Sequence, residues 1–83
     1  MIKEFYFSLD YSGMLEDIDI MEGVNESEVE DIINMLKTKG LLVSEHRTNG
    51  DVYIDNGNVM VTYRYFTAPE DGSFEDMELK VTI

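Results

Sequence analysis

Between Val24 and Gly40 the apolar positions fall three and four apart. Val29, Ile32, Ile33 and Leu36 make one stripe, the pattern of an amphipathic helix. Both ends of this helix are marked. Asn25 is a natural N-cap, Glu28 three positions on gives a capping-box pattern, and Val24 and Val29 stand at hydrophobic-staple spacing. Lys37 and Lys39 occupy the last turn, where the helix dipole favours cations, and Gly40 can supply the left-handed residue beyond the C-cap.

On either side of this stretch the period drops to two. Lys3 to Tyr11 alternates, with Phe5, Phe7, Leu9 and Tyr11 on one face and Tyr6, Ser8 and Asp10 on the other, which predicts a strand. Met14 to Met21 fits a short helix or a second strand. A two-residue turn at Ser12-Gly13 would set Phe5 against Ile20, Phe7 against Ile18, Leu9 against Glu16 and Tyr11 against Met14, and the apolar majority of these pairs favours a hairpin. After the helix, Leu41 to Thr48 reads as a further strand that begins apolar and turns polar, followed by a turn signal at Asn49-Gly50. A tight hairpin there would oppose Glu45 to Ile54 and Arg47 to Val52, so a bulge or longer loop is expected.

Asn56-Gly57 makes a better hairpin, setting Ile54 against Val59 and Val52 against Val61. Pro69-Glu70-Asp71-Gly72 is a turn sequence, and the register across it places Val59, Val61 and Tyr63 opposite Val81, Leu79 and Met77. The same register puts Arg64 opposite Asp76 and Met60 opposite Lys80. Asp76, Glu78, Lys80 and Thr82 of the last strand are then expected to face water. The predicted order is β-β-α-β-β-β-β: a single α+β domain over residues 1–83, with a mostly antiparallel sheet of five or six strands and one helix packed on one face.

Charge changes the picture more than composition does. Eighteen acids against six bases give a net charge of −12, and the excess is uneven. Asp10, Glu16, Asp17, Asp19, Glu22, Glu26, Glu28, Glu30 and Asp31 follow one another with no base between them. Such a balance argues against direct binding to nucleic acid or to an anionic membrane. No cysteine is present, no run has the length of a membrane span, and Met1-Ile2-Lys3-Glu4 does not open a signal peptide, which together are read as a cytoplasmic protein.

Catalytic chemistry finds little support. His46 is the single histidine, beside Arg47 on a polar stretch, and none of the serines sits in a nucleophile-elbow context. Glu16-Asp17-x-Asp19 and Asp51-x-x-x-Asp55 offer oxygen ligands without the spacing of a calcium loop, and no glycine-rich phosphate loop occurs. The expectation is therefore no enzyme, no cofactor and no metal. Tyr6, Tyr53, Tyr65 and Phe66 are placed on the outer sheet face, where aromatic rings serve either cross-strand packing or an interface.

In size and charge, though in no motif, the chain resembles the acidic nucleic-acid-mimic inhibitors of phages and mobile elements. The resemblance implies a small binding protein that occupies the basic nucleic-acid-binding groove of a nuclease or defence effector, as anti-restriction and anti-CRISPR proteins do. Asp17 and Asp19 would lie ~6.6 Å apart along one strand face, and duplex DNA carries one charge per ~3.4 Å of axis per strand. Glu16, Asp17, Asp19, Glu22, Glu26, Glu30 and Asp31, with Tyr6, are the candidate partner-binding residues, and Asp17, Asp19, Glu26 and Glu30 are expected to form one acidic face. The alternative is an acidic structural or regulatory subunit that meets its partner through a sheet edge or a tyrosine-bearing face, its charge serving solubility. Monomer and homodimer are both open at this point.

Overall fold

The computed structural model describes residues 1–42, 47–68 and 72–82. It contains β1 (Ile2–Leu9), β2 (Leu15–Glu22), α1 (Glu26–Thr38), β3 (Thr48–Asp55), β4 (Asn58–Ala68) and β5 (Ser73–Thr82). The strands form one antiparallel sheet in the order β2-β1-β3-β4-β5. Because β2 and β3 both run antiparallel to β1, they are parallel to each other, and α1 is the crossover that carries the chain over β1 between them. The domain is α+β, as the two periodicities predict.

The helix begins and ends where its local signals place it. Asn25 Oδ1 accepts from the Glu28 N–H at 2.9 Å, and Gly40 takes the left-handed conformation at φ +71°. The Gly40 N–H donates to the Lys37 carbonyl and the Leu41 N–H to the Leu36 carbonyl, a complete Schellman closure. Only half of the capping box forms. The Glu28 side chain turns away to Lys3, whose Nζ donates to Oε2 at 2.6 Å, and this joins the first helical turn to β1.

Val29, Ile33 and Leu36 are buried against Phe5, Phe7 and Leu9 of β1, Val52 and Ile54 of β3, and Val59, Val61 and Tyr63 of β4. These strand residues share one parity, so the core lies on a single face of the sheet, which we call the inner face. Twelve buried apolar side chains among the described residues make a small core. Truncation of any central member is therefore strongly destabilising.

Three local expectations need correcting. The β1–β2 hairpin keeps Phe5 opposite Ile20 and Phe7 opposite Ile18, but Leu9 pairs with Leu15 rather than Glu16, and Tyr11 does not pair with Met14. Asp10 is the cause: its Oδ1 accepts from the Ser12 N–H, the Ser12 hydroxyl and the Met14 N–H, which ends the strand at Leu9. Glu16 is left over as a bulge, so an apolar residue reaches the core.

Asn49-Gly50 is no turn. Both residues lie inside β3, where Gly50 sits between Phe7 and Tyr63, and a Cβ there would come 2.8 Å from the Phe7 ring and from Tyr63 Cβ. The glycine answers to packing in mid-strand. Finally, among the described residues there are five strands, and no separate strand precedes β3: Leu41 and Leu42 close the helix and pack on the core. The remainder of the expected Leu41–Thr48 strand, residues 43–46, lies outside the described residues, and so does His46.

The registers across Asn56-Gly57 and between β4 and β5 are as predicted, including Arg64 opposite Asp76 and Met60 opposite Lys80. Asn56 and Gly57 both have positive φ, which is the type I′ geometry that Asn-Gly favours. Asp76, Glu78, Lys80 and Thr82 are exposed, as expected. Of the turn at 69–72, only Gly72 lies among the described residues.

Candidate partner-binding face

With the helix on the inner face, the other face of the sheet is left open, and among the described residues no element covers it. Strand parity decides what it carries. From β2 come Asp17, Asp19 and Glu22, from β1 Glu4, Tyr6 and Ser8, and from β3 Asn49, Asp51, Tyr53 and Asp55. From β4 come Met60, Thr62, Arg64 and Phe66, and from β5 Phe74, Asp76, Glu78 and Lys80. The result is eight carboxylates against Arg64 and Lys80. Arg64 is engaged, its Nε 2.8 Å from Asp76 Oδ1, whereas Lys80 Nζ makes only a loose contact with Glu78 Oε1 at 3.9 Å.

Tyr6 stands on β1, between the acids of β2 and β3. It is opposite Asp19 on one side and Asp51 on the other, with 48% of its surface exposed. An aromatic ring flanked by carboxylates can stack on a guanidinium while the acids bond it. A shallow open depression beside it is lined by Tyr6, Asn49, Asp51, Thr62, Arg64 and Asp76.

At the far end the character changes. The Arg64 guanidinium lies 3.8 Å from the centroid of the Phe74 ring, and Phe74 meets Phe66 edge-on at 6.2 Å. The bond from Arg64 holds the Asp76 carboxyl below its ordinary range.

Asp51 is the most perturbed group on the face. Its carboxyl is pushed up to about 6, first by burial and then by the adjacent Glu4 carboxyl. Asp51 Oδ1 is buried and accepts no hydrogen bond. With both carboxyls ionised the pair repels, and with one proton between them one carboxyl donates to the other. Among the described residues no group of three or more acids or histidines converges to hold a metal ion.

The structure divides the candidate residues predicted from sequence. Tyr6, Asp17, Asp19 and Glu22 come together on the open face. Glu26, Glu30 and Asp31 are exposed on α1, on the opposite side of the sheet, so Asp17, Asp19, Glu26 and Glu30 do not make one surface. The reason is the crossover, which seats the helix on the inner face while Asp17 and Asp19 point to the outer one. Glu16 occupies a bulge and lies 3.6 Å from Arg47. Tyr65 also changes sides: it pairs with Thr48 beside Tyr63 on the inner face, and its hydroxyl donates to Glu75.

Sequence reasoning missed Glu4, Asp51, Asp55, Asp76 and Glu78 as parts of the same surface. The parity of each strand was readable, whereas the strand order that sets them side by side was not.

No protein-family model matches the chain, and neither a curated protein nor a solved structure matches it. No helix among the described residues is long and apolar enough to cross a membrane.

Proposed function

We propose that this protein works by binding, and that the open face of its sheet docks onto the basic nucleic-acid-binding groove of a larger protein, such as a nuclease or defence effector, and blocks it. The observation that carries the reading is the eight-to-two excess of carboxylates on a face no other described element covers, with Arg64 already paired to Asp76. Residues two apart on a strand stand ~6.7 Å apart and neighbouring strands ~4.8 Å apart, so the carboxylates form a two-dimensional array of a density comparable to a phosphate track. Such a surface raises the rate of encounter with a basic groove and orients it, while Tyr6 and Tyr53 supply short-range contact.

The test is displacement of labelled duplex DNA from a panel of purified nucleases, scanned from ~50 to 200 mM salt. Displacement that weakens steeply with salt is expected for at least one of them. Two variants with equal charge change then locate the surface. Asp17→Asn, Asp19→Asn, Glu22→Gln alters the open face, and Glu26→Gln, Glu30→Gln, Asp31→Asn alters the helix. The first should lose about tenfold or more in affinity and the second little, because only the first set faces the partner. Equal losses would assign the effect to bulk charge, and failure to displace DNA from any nuclease would refute the reading.

A further inference from the structure

A five-stranded open sheet has two edges, and in this protein they are not alike. β2 is broken twice, by bulges at Glu16 and Met21. Bulges interrupt the hydrogen-bonding row and turn an edge away from further pairing. β5 has no such guard. From Phe74 to Thr82 it pairs residue for residue with β4, and its outer row of N–H and C=O groups is continuous.

The apolar side chains of β5 are also incompletely covered. Met77 is 43% exposed although it shares the inner face with Tyr63, and Leu79 and Val81 are only half-buried. A long regular edge with a half-open apolar margin is a place where another strand adds.

We propose that this added strand is β5 of a second copy, paired antiparallel about a two-fold axis through Leu79, so that two sheets become one. The charges and the apolar residues agree on that register. It places Glu78 of each copy opposite Lys80 of the other, two complementary pairs on the outer face, with Asp76 opposite Thr82. On the inner face it places Leu79 opposite Leu79 and Met77 opposite Val81, twice.

Neighbouring registers fail. An axis through Met77 opposes Asp76 to Glu78 twice. An axis through Glu78 sets Asp76, already held by Arg64, against Lys80, but opposes Glu78 to itself and Glu75 to Val81, and an axis through Lys80 opposes two lysines and leaves Glu78 against Thr82. Directly opposed like charges destabilise a strand pair, and opposite charges stabilise it.

Other pairings are worse. β2 has Asp17 and Asp19 on its outer face with no cation in the strand, so self-pairings of β2 centred on Asp17, Ile18 or Asp19 stack acid on acid and none gains a complementary pair. Joining β2 to β5 would be head-to-tail and would propagate into a filament instead of closing. Within one copy, Lys80 reaches Glu78 only loosely at 3.9 Å, with both side chains more than half exposed, so both groups are available to a partner. This surface is separate from the acid-bearing centre around Tyr6, and a dimer would carry two such centres on one continuous face.

Sedimentation equilibrium across a concentration series reads the mass directly. The unaltered chain should rise from 9.6 kDa toward twice that value. Lys80→Glu should weaken the dimer by about tenfold or more, because both outer pairs become like-charged. Glu78→Lys should do the same, although it lowers the net charge from −12 to −10 and so reduces bulk repulsion.

The decisive sample is an equimolar mixture of the two variants. In a mixed dimer each outer pair again sets one lysine against one glutamate, with their places exchanged in one of the two pairs, so association should return to the level of the unaltered chain. Both positions are exposed, and a thermal melt of each variant verifies folding. A mass that stays at 9.6 kDa at every concentration would overturn the proposal. So would single variants that dimerise like the parent, or a mixture that does not.

Discussion

Replacing Asp51 by Asn tests the electrostatics of the open face at its most strained point. Asp51 titrates at about 6 in the fold against an ordinary 3.8, through burial first and Glu4 second. A carboxyl whose folded value is raised favours folding while it is protonated. That contribution is complete below pH 3.8 and is lost as the pH rises through about 6. The full shift of roughly two units corresponds to about 3 kcal/mol, and solvent screening at this partly exposed site brings the expected effect to about 1–2 kcal/mol.

Asn has the size of Asp, carries no charge, and can donate to Glu4 from its amide. Asp51→Asn should therefore be more stable than the parent by about 1–2 kcal/mol at pH 8, with the difference shrinking as the pH falls through 6. The parent itself should lose about 1 kcal/mol between pH 5 and 8, and the variant should be flat over that interval. Urea denaturation at a series of pH values, with midpoints read at constant slope, gives these numbers. A variant no more stable than the parent at pH 8, or a parent with no pH dependence above pH 5, would refute the shared-proton account.

Five further substitutions probe the scaffold by the same denaturation assay. Leu36→Ala, in the fully buried helix stripe, should cost about 2–5 kcal/mol, and Asn25→Ala should cost about 0.5–2 kcal/mol through loss of the cap. Gly50→Ala should cost about 1–3 kcal/mol, because its Cβ meets Phe7 and the Cβ of Tyr63 at 2.8 Å and the latter cannot swing aside. Gly23 and Gly40 share φ +71°, yet a Cβ at Gly23 would lie 2.2 Å from the Ile2 carbonyl oxygen while one at Gly40 meets nothing within 4 Å. Gly40→Ala should then cost about 1 kcal/mol from backbone conformation alone, and Gly23→Ala distinctly more, with equal costs counting against the packing argument.

The parts of this fold that were legible in the sequence are those whose signals are local. Asn25 and Gly40 fix the helix ends through bonds to residues three to five positions away. Asn56-Gly57 fixes the β3–β4 register by its own backbone preference, and β5 follows from the alternation of Met77, Leu79 and Val81. Where a residue answered to distant neighbours, the reading failed. Gly50 looks like a turn residue because glycine usually is one, and only the Phe7 ring beside it explains a glycine in mid-strand. Asp10 looks like an outward-facing residue within a strand that runs on to Tyr11 until its side chain is seen to hold Ser12 and Met14.

The candidate face was legible by halves for the same reason. The parity that turns Asp17 and Asp19 outward is a property of β2 alone. That Glu4 adjoins Asp51, and that Glu26 and Glu30 lie on the opposite layer, depends on β1 being inserted between β2 and β3, which no short-range pattern encodes.

That insertion also governs the order in which the molecule can be assembled during synthesis. The β1–β2 hairpin and α1 leave the ribosome before β3, yet β1 has β3 as its second neighbour, so these elements emerge with one row of backbone groups of β1 unpaired. The β3–β4–β5 meander needs only neighbouring segments and forms quickly once translated, whereas the β1–β3 ladder closes a long loop and comes late. The nascent chain is thus most vulnerable to mispairing before Thr48–Asp55 arrives, and its strong negative charge, concentrated between Asp10 and Asp31, keeps nascent copies apart during that interval.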